Sequence, residues 1–308
     1  MKQAPRSARL RHRLSLLGCA VLALGGVSAL AEDRDAAAPP PMLWRIALDP
    51  PSHLLGTIHV SDPRVLRLPA PVEAALGRAD VVYTEVELDP ETTTELRELT
   101  RVPEGKRLAD VLSPALHARL VAALSARGLN PADFESQAPW IAAYALILVR
   151  DPDPAAALNP PLDLYIRQRA VLSGKQVAGL EVPADQVAAM EAVARDGGVS
   201  MLESTLDELE RDGPSGASQM DRMIDAYLLG DDAGIFARSL GSLDRKSREA
   251  LIDRRNEVMA DRIEESLRDA PEESHLFAVG VLHMPGKRGV LELLRKRGFR
   301  IERVPASP

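Results

Sequence analysis

Apolar residues fall along this chain in two kinds of run. Short runs at 43–48, 53–60, 80–88, 176–182, 275–284 and 300–304 predict β-strands, and several are apolar on both faces, as covered or parallel strands are. Between them, apolar residues at three- and four-residue steps predict helices over 71–78, 113–127, 131–149, 162–173, 183–194, 244–268 and 286–297. A more polar stretch, 201–240, reads the same way. Ser113-Pro114 and Asn130-Pro131 each put a capping side chain before a proline at the first helical position. The strands cluster towards both ends, and about 90–174 is mainly helical. The fold class is therefore α/β: a central mixed or mostly parallel sheet flanked by helices, with a largely helical middle lobe over 90–174. "RDGPSGAS", 211–218, reads as the clearest internal loop.

The first thirty-one residues follow a different pattern. Five basic and no acidic residues precede the apolar run "LSLLGCAVLALGGVSAL", and Ala29-Leu-Ala31 supplies a small-residue cleavage site. Residues 1–31 are expected to be an export signal, which makes the protein periplasmic or secreted. The alternative is an inner-membrane anchor formed by an uncleaved 14–31. "LLGC" at Cys19 resembles a lipoprotein box, although most of the apolar run lies after the cysteine. Residues 32–41, "EDRDAAAPPP", read as a disordered linker, and the folded domain is expected over 42–308.

Cleavage after Ala31 removes five positive charges and takes the formal charge from −7 to −12. It also removes the only cysteine, so no disulfide or thiolate metal site is expected in the mature chain. With only 3% aromatic residues and no basic stripe, nucleic acid is excluded as a partner, and so is a membrane surface once the signal is gone.

Candidate chemistry comes from where the apolar runs end. "LLGTIH" ends at His59, "VVYTEVE" carries Glu85 and Glu87, "QVAGLE" ends at Glu181 and "FAVGVLH" at His283. In an open α/β sheet the carboxyl ends of the strands face one crevice, so residues distant in sequence converge there. Each histidine taken alone reads as a packed strand-end residue, and each glutamate as an exposed or ion-paired one. Together they make either a divalent metal site or an acid–base constellation, because clustered carboxylates in a cleft need a cation or a proton. The glycine three residues before each histidine permits close approach of a neighbour. His53, His117 and His275 read as structural or solvated. Arg254-Arg255-Asn256 lies on a helix, where it is either a solvated patch or a group that binds anions or orients carboxylates.

The segments "LLGTIHV", "VVYTEVELD", "PLDLYIRQRAVLSGKQVAGLEVPADQ", "RRNEVMADRIEESL" and "FAVGVLHMPGKRGVLELLRKRGFRIERV" together resemble the TraB/GumN family, to which the Tiki proteins are related. The resemblance implies a compact α/β domain akin to the erythromycin-esterase-like and haem-binding ChaN-like group. It implies an active site of the two G-x-x-H histidines and a strand glutamate, and, from the Tiki members, metal-dependent proteolysis favouring manganese or cobalt. By position these are His59, His283 and Glu85, joined by Glu181, Arg255, Asn256 and Asp163. Val182 stands where the family commonly has threonine or serine, and "GVLHMPG" is bulkier than the usual second motif, so substrate shape is not carried over.

The leading expectation is an exported metal-dependent hydrolase, protease-like, with His59, His283 and Glu85 or Glu181 holding a divalent ion: manganese, cobalt, iron or zinc. The remaining glutamate would move the proton, Arg255 would stabilise an oxyanion, and Asn256 would orient a ligand. Its substrate would be a peptide or small ester rather than a glycan. The alternatives are a metal-free His/Glu esterase, or an accessory protein binding haem or a polysaccharide intermediate. No segment reports an oligomeric state.

Overall fold

The computed structural model describes residues 41–305 apart from 88, 150–158, 195, 213–218 and 242. The export segment, most of the linker and the centre of the "RDGPSGAS" loop lie outside the described residues. All six expected strands form: β1 Leu43–Ile46, β2 Ser52–Thr57, β3 Val81–Val86, β4 Gln176–Glu181, β5 His275–Gly280 and β6 Ile301–Arg303. They make one mixed sheet in the order β4-β3-β5-β2-β1-β6. β4, β3, β5 and β2 are mutually parallel, whereas β1 is antiparallel to both of its neighbours. Four carboxyl ends therefore open on one edge. The register Thr57↔Gly280 sets the ends of β2 and β5 side by side.

The helices are α1 Ala70–Arg78, α2 Pro90–Leu99, α3 Leu108–Val111, α4 Pro114–Ala126, α5 Pro139–Leu148, α6 Leu162–Leu172 and α7 Pro183–Val193. After them come α8 Val199–Asp212, α9 Gln219–Leu228, α10 Asp232–Leu240, α11 Arg245–Arg248, α12 Arg254–Asp269 and α13 Val290–Lys296. Among the described residues, no helix is long and apolar enough to cross a membrane.

Two buried apolar clusters result. One surrounds the sheet, with Leu43, Leu54, Phe277, Ile166, Met259 and Ile263 at its centre. The other joins α3, α4, α5, α7 and α8 through Leu108, Leu120, Trp140, Leu146, Val187 and Leu202. The helical lobe thus draws on segments either side of β4, while α6 packs on the sheet. In α4, Leu116, Leu120 and Leu124 recur at four-residue steps, and the Ser113 side chain accepts the Leu116 N–H at 3.2 Å, as its sequence predicts.

The expected helix over 131–149 is divided. Only Pro131–Asp133 forms a 3₁₀ turn, and α5 begins at Pro139. Ala138 precedes a proline and is extended (φ −60°, ψ 146°), as the proline ring requires. The lost helical bonds are replaced from 100–102: Ala138 N–H donates to Thr100 O, Val102 N–H to Ser136 O, and Thr100 Oγ1 to the buried Gln137 at 2.7 Å. Both expected histidine strands also stop early, at Thr57 and Gly280, and His283 rides on a 3₁₀ turn, Val281–His283.

At the opposite end of the sheet His53 is buried and stands cross-strand from Arg45. Burial, with the charges of Arg78 and Arg45, lowers its pKa to about 4. The ring is neutral in the fold but titrates near 6.5 in the unfolded chain, so its contribution is complete above pH 6.5 and is lost as the pH falls towards 4. Between pH 7 and 5 wild type should lose about 1–2 kcal/mol from this residue. His53→Gln should flatten that part of the profile in urea titrations at the two pH values.

Candidate active site

Alternation along β3 puts Tyr83 and Glu85 on one face, and Tyr83 stacks on Phe277 of β5 with ring centroids 5.0 Å apart. Glu85 then ends that column, buried, at the carboxyl edge. Its Oε1 accepts the Gly280 N–H at 2.7 Å, and its Oε2 accepts from Arg255 Nη2 at 2.8 Å and Gln186 Nε2 at 3.3 Å. Glu181, at the end of neighbouring β4, receives Arg255 Nε and Nη2 at 2.6–3.1 Å. Arg255 also donates Nη1 to Leu251 O at 3.2 Å, so all three guanidinium nitrogens are engaged. It sits in the first turn of α12, directly after a π-helical turn, Glu249–Asp253.

The two histidines arrive from either side of Glu85 Oε1. His59 Nε2 lies 3.6 Å from that oxygen and His283 Nε2 lies 3.9 Å from it. Each ring is held from behind by its other nitrogen. His283 Nδ1 is 2.6 Å from Asn256 Oδ1, and because Asn256 Nδ2 donates to Arg288 O, the amide oxygen must face the imidazole. His283 Nδ1 therefore carries the proton and Nε2 presents a lone pair. His59 Nδ1 lies 3.1 Å from Asp163 Oδ1, a buried oxygen with no well-aligned hydrogen bond of its own. Gly280 is the floor: a Cβ there would stand 2.8 Å from Glu85 Oε1 and 3.2 Å from His59 Nε2. The other motif glycine, Gly56, instead meets Met42, Trp44 and Val281 at 3.3–3.4 Å in the core.

Charge divides these groups. Burial alone would raise the Glu85 pKa, but Arg255 and the two imidazoles outweigh it and hold the carboxyl well below the usual range. Burial dominates at Glu181, and the Glu85 charge adds to it, so its pKa is raised despite Arg255. Burial pushes His283 down to about 3, with Arg255 and His59 assisting against Glu85. His59 also feels burial, but Asp163 leads the groups that raise it well above its ordinary value. Its side chain is 34% exposed, against 6% for His283.

All the residues singled out from sequence, His59, Glu85, Glu181, Arg255, Asn256 and His283, thus share one cluster, with Asp163 behind it. Glu87 lies outside it, 3.9 Å from Arg167. Two neighbours carried no sequence signal. Gln186 reaches Glu85 from the first turn of α7. Tyr144 projects from the otherwise buried α5, with its phenol under the charges of His59, Asp163, Glu85 and Arg255 and its pKa raised by desolvation.

Two imidazole nitrogens near one carboxylate oxygen, that of His283 a free lone pair and that of His59 available once its proton is displaced, form a donor set whose chemistry fits a divalent cation. Among the described residues, however, no group of three or more His, Cys, Asp or Glu side chains is arranged to hold one. Both oxygens of Glu85 are already engaged, Oε1 by the Gly280 N–H and Oε2 by Arg255.

A model of the TraB/PrgY/gumN family matches residues 42–303, nearly all of the described chain. The chain belongs to the TraB/PrgY/gumN family. Among curated family relatives, it is 28% identical to the metalloprotease TIKI1 of Danio rerio, covering 86% of this chain and 63% of that protein. It is 26% identical to the metalloprotease TIKI1 of Homo sapiens, covering 86% and 62%. An uncharacterized protein, YbaP of Shigella flexneri, is 24% identical over 79% of this chain and 88% of its own length. The chain spans about three-fifths of the length of the metalloproteases it matches.

Proposed function

We propose that this TraB/PrgY/gumN member is an exported, metal-dependent hydrolase acting on peptides or small esters. The observation that carries the reading is the convergence of His59 Nε2 and His283 Nε2 on Glu85 Oε1, with Asp163 and Asn256 holding the far nitrogens. The similarity to the TIKI1 metalloproteases supports it. His59, His283 and Glu85 would hold the ion, which when bound supplies a Lewis acid and an acidified water. The chain's own contribution is positional. Asn256 fixes the His283 tautomer, Asp163 orients His59, and Glu181 anchors Arg255. Arg255 keeps Glu85 ionised beside the imidazoles, the form in which a carboxylate can serve as a ligand.

Elemental analysis of the purified mature protein tests this. Wild type should carry about one divalent ion per chain, and His59→Ala and His283→Ala should each lose it. Metal-free wild type, or variants with unchanged metal content, would remove the reading.

A second reading rests on the opposed imidazoles. His59 favours its protonated form and His283 its neutral form, an acid and a base on either side of one carboxylate. Hydrolysis through that pair without metal would proceed undiminished in a chelator.

A further inference from the structure

Resting on the hydrolase reading, we propose that the free edge of β4 is a docking strand for an extended peptide carrying a basic side chain, which it delivers to the crevice at Glu181. β4 ends the sheet, and among the described residues no main-chain hydrogen bond reaches it from outside the sheet. Its first residue is exposed and the next three are half-buried, so the backbone is approachable along most of its length. An open strand edge carries unpaired N–H and C=O groups that an added strand can satisfy. Proteins usually blunt such an edge with lysine or proline within the strand. Here the strand reads "QVAGLE", with neither.

An exposed apolar side chain flanks the strand at each end. Leu172, the most exposed large apolar side chain among the described residues at 87%, lies four positions before the strand, and Val182, 57% exposed, follows it. Val182 stands where the TraB/GumN pattern commonly has a small hydroxyl. At that end lies a hollow of about 340 Å³, lined by Gly179, Glu181, Val182 and, across it, Glu87, Glu91 and Glu95. Glu91 and Glu95 are one turn apart on α2 and exposed, and among the described residues neither is ion-paired. Glu87 has only Arg167, at 3.9 Å. Glu181 adds no free charge, because Arg255 takes it. The hollow therefore presents three carboxylates against one distant cation, and the complementary occupant is a lysine or arginine side chain of the docked strand.

The test uses the mature wild type and a Glu91→Gln/Glu95→Gln variant, whose changes lie on an exposed helix. Four fluorescein-labelled heptapeptides of alternating valine and threonine are compared by anisotropy at low salt: one with a central lysine, one with norleucine in its place, and two versions of the lysine peptide N-methylated at every second amide, one in each register. Wild type should bind the lysine peptide roughly tenfold more tightly than the norleucine peptide. The double variant should bring that ratio to within about twofold, and N-methylation in one register should abolish binding. Equal binding of lysine and norleucine peptides, equal binding of the N-methylated peptides, or no binding overturns the proposal. So does a β4-paired dimer that the peptide does not dissociate. Mass spectrometry of the same peptides reads cleavage separately. Binding without cleavage leaves the docking strand standing and removes the peptide-hydrolase reading, whereas cleavage indifferent to lysine does the reverse.

Discussion

Arg255→Ala should cost this protein about 3–5 kcal/mol of stability, a fall in Tm on the order of 10 °C, together with all hydrolytic activity. Glu85 and Glu181 are both more than nine-tenths buried and share this one guanidinium. Removing it leaves Glu181 buried without a cation and Glu85 with only the protonated His59 beside it, and breaking a buried ion pair in this way is costly. The pH dependence distinguishes this cause from lost packing. In wild type the Glu85 pKa is depressed, so its contribution is present above the ordinary carboxylate range and lost as the pH falls through it. Without Arg255, burial at Glu181 loses its main opposing charge, and the folded pKa of that residue rises further. The variant then loses further stability as the pH rises towards that value, and its deficit should shrink between pH 8 and pH 5. A deficit constant over that range, by urea denaturation, would point to packing alone. Arg255→Lys keeps the charge but not the fork and should fall between the two.

Gly280→Ala should separate the site from the fold. The added Cβ would stand 2.8 Å from Glu85 Oε1 and 3.2 Å from His59 Nε2, with no backbone atom among its close contacts. The backbone there (φ −50°, ψ 133°) suits alanine, so the damage falls on the two side chains. They must retreat by several tenths of an ångström, and Glu85 must loosen its bond to the Gly280 N–H. A stability loss of about 1–3 kcal/mol is expected from the crowding, with roughly 100-fold lower turnover and weakened metal retention from the displacement. Gly56→Ala is the control: its methyl would press on Met42, Trp44 and Val281 at 3.3–3.4 Å and should affect stability without the same loss of turnover. Parallel thermal melts, metal analysis and peptide hydrolysis would decide it, and equal turnover in the two variants would count against the assigned geometry.

The contrast between those glycines shows where sequence reading reached and where it stopped. Runs of apolar residues located all six strands, because strands packed between helices are mostly apolar even where single polar residues such as His53 and Thr84 are buried in them. Chemistry-bearing side chains at four run ends were legible for the same reason. The pairings Asn256 to His283, Asp163 to His59 and Arg255 to both glutamates were not, since periodicity places a residue on an element without fixing which distant side chain it meets. The G-x-x-H repeat looked like one device used twice, whereas Gly56 serves the core and Gly280 the site. The helix over 131–149 failed because its apolar period continues through 134–138 while Pro139 and the bonds to Thr100 and Val102 draw the backbone away. Tyr144 was invisible because its helix is apolar enough to pass for core.

The strand order has a consequence for when this protein becomes competent during its synthesis. β5 lies between β2 and β3, so until residues 275–283 have emerged, the strands bearing His59 and Glu85 have no common neighbour, and Gly280 and His283 do not yet exist in the chain. The chain must therefore be made as far as residue 283 before the cluster can assemble. A chain that stops before residue 283 lacks the assembled cluster, whatever else of its sheet has formed.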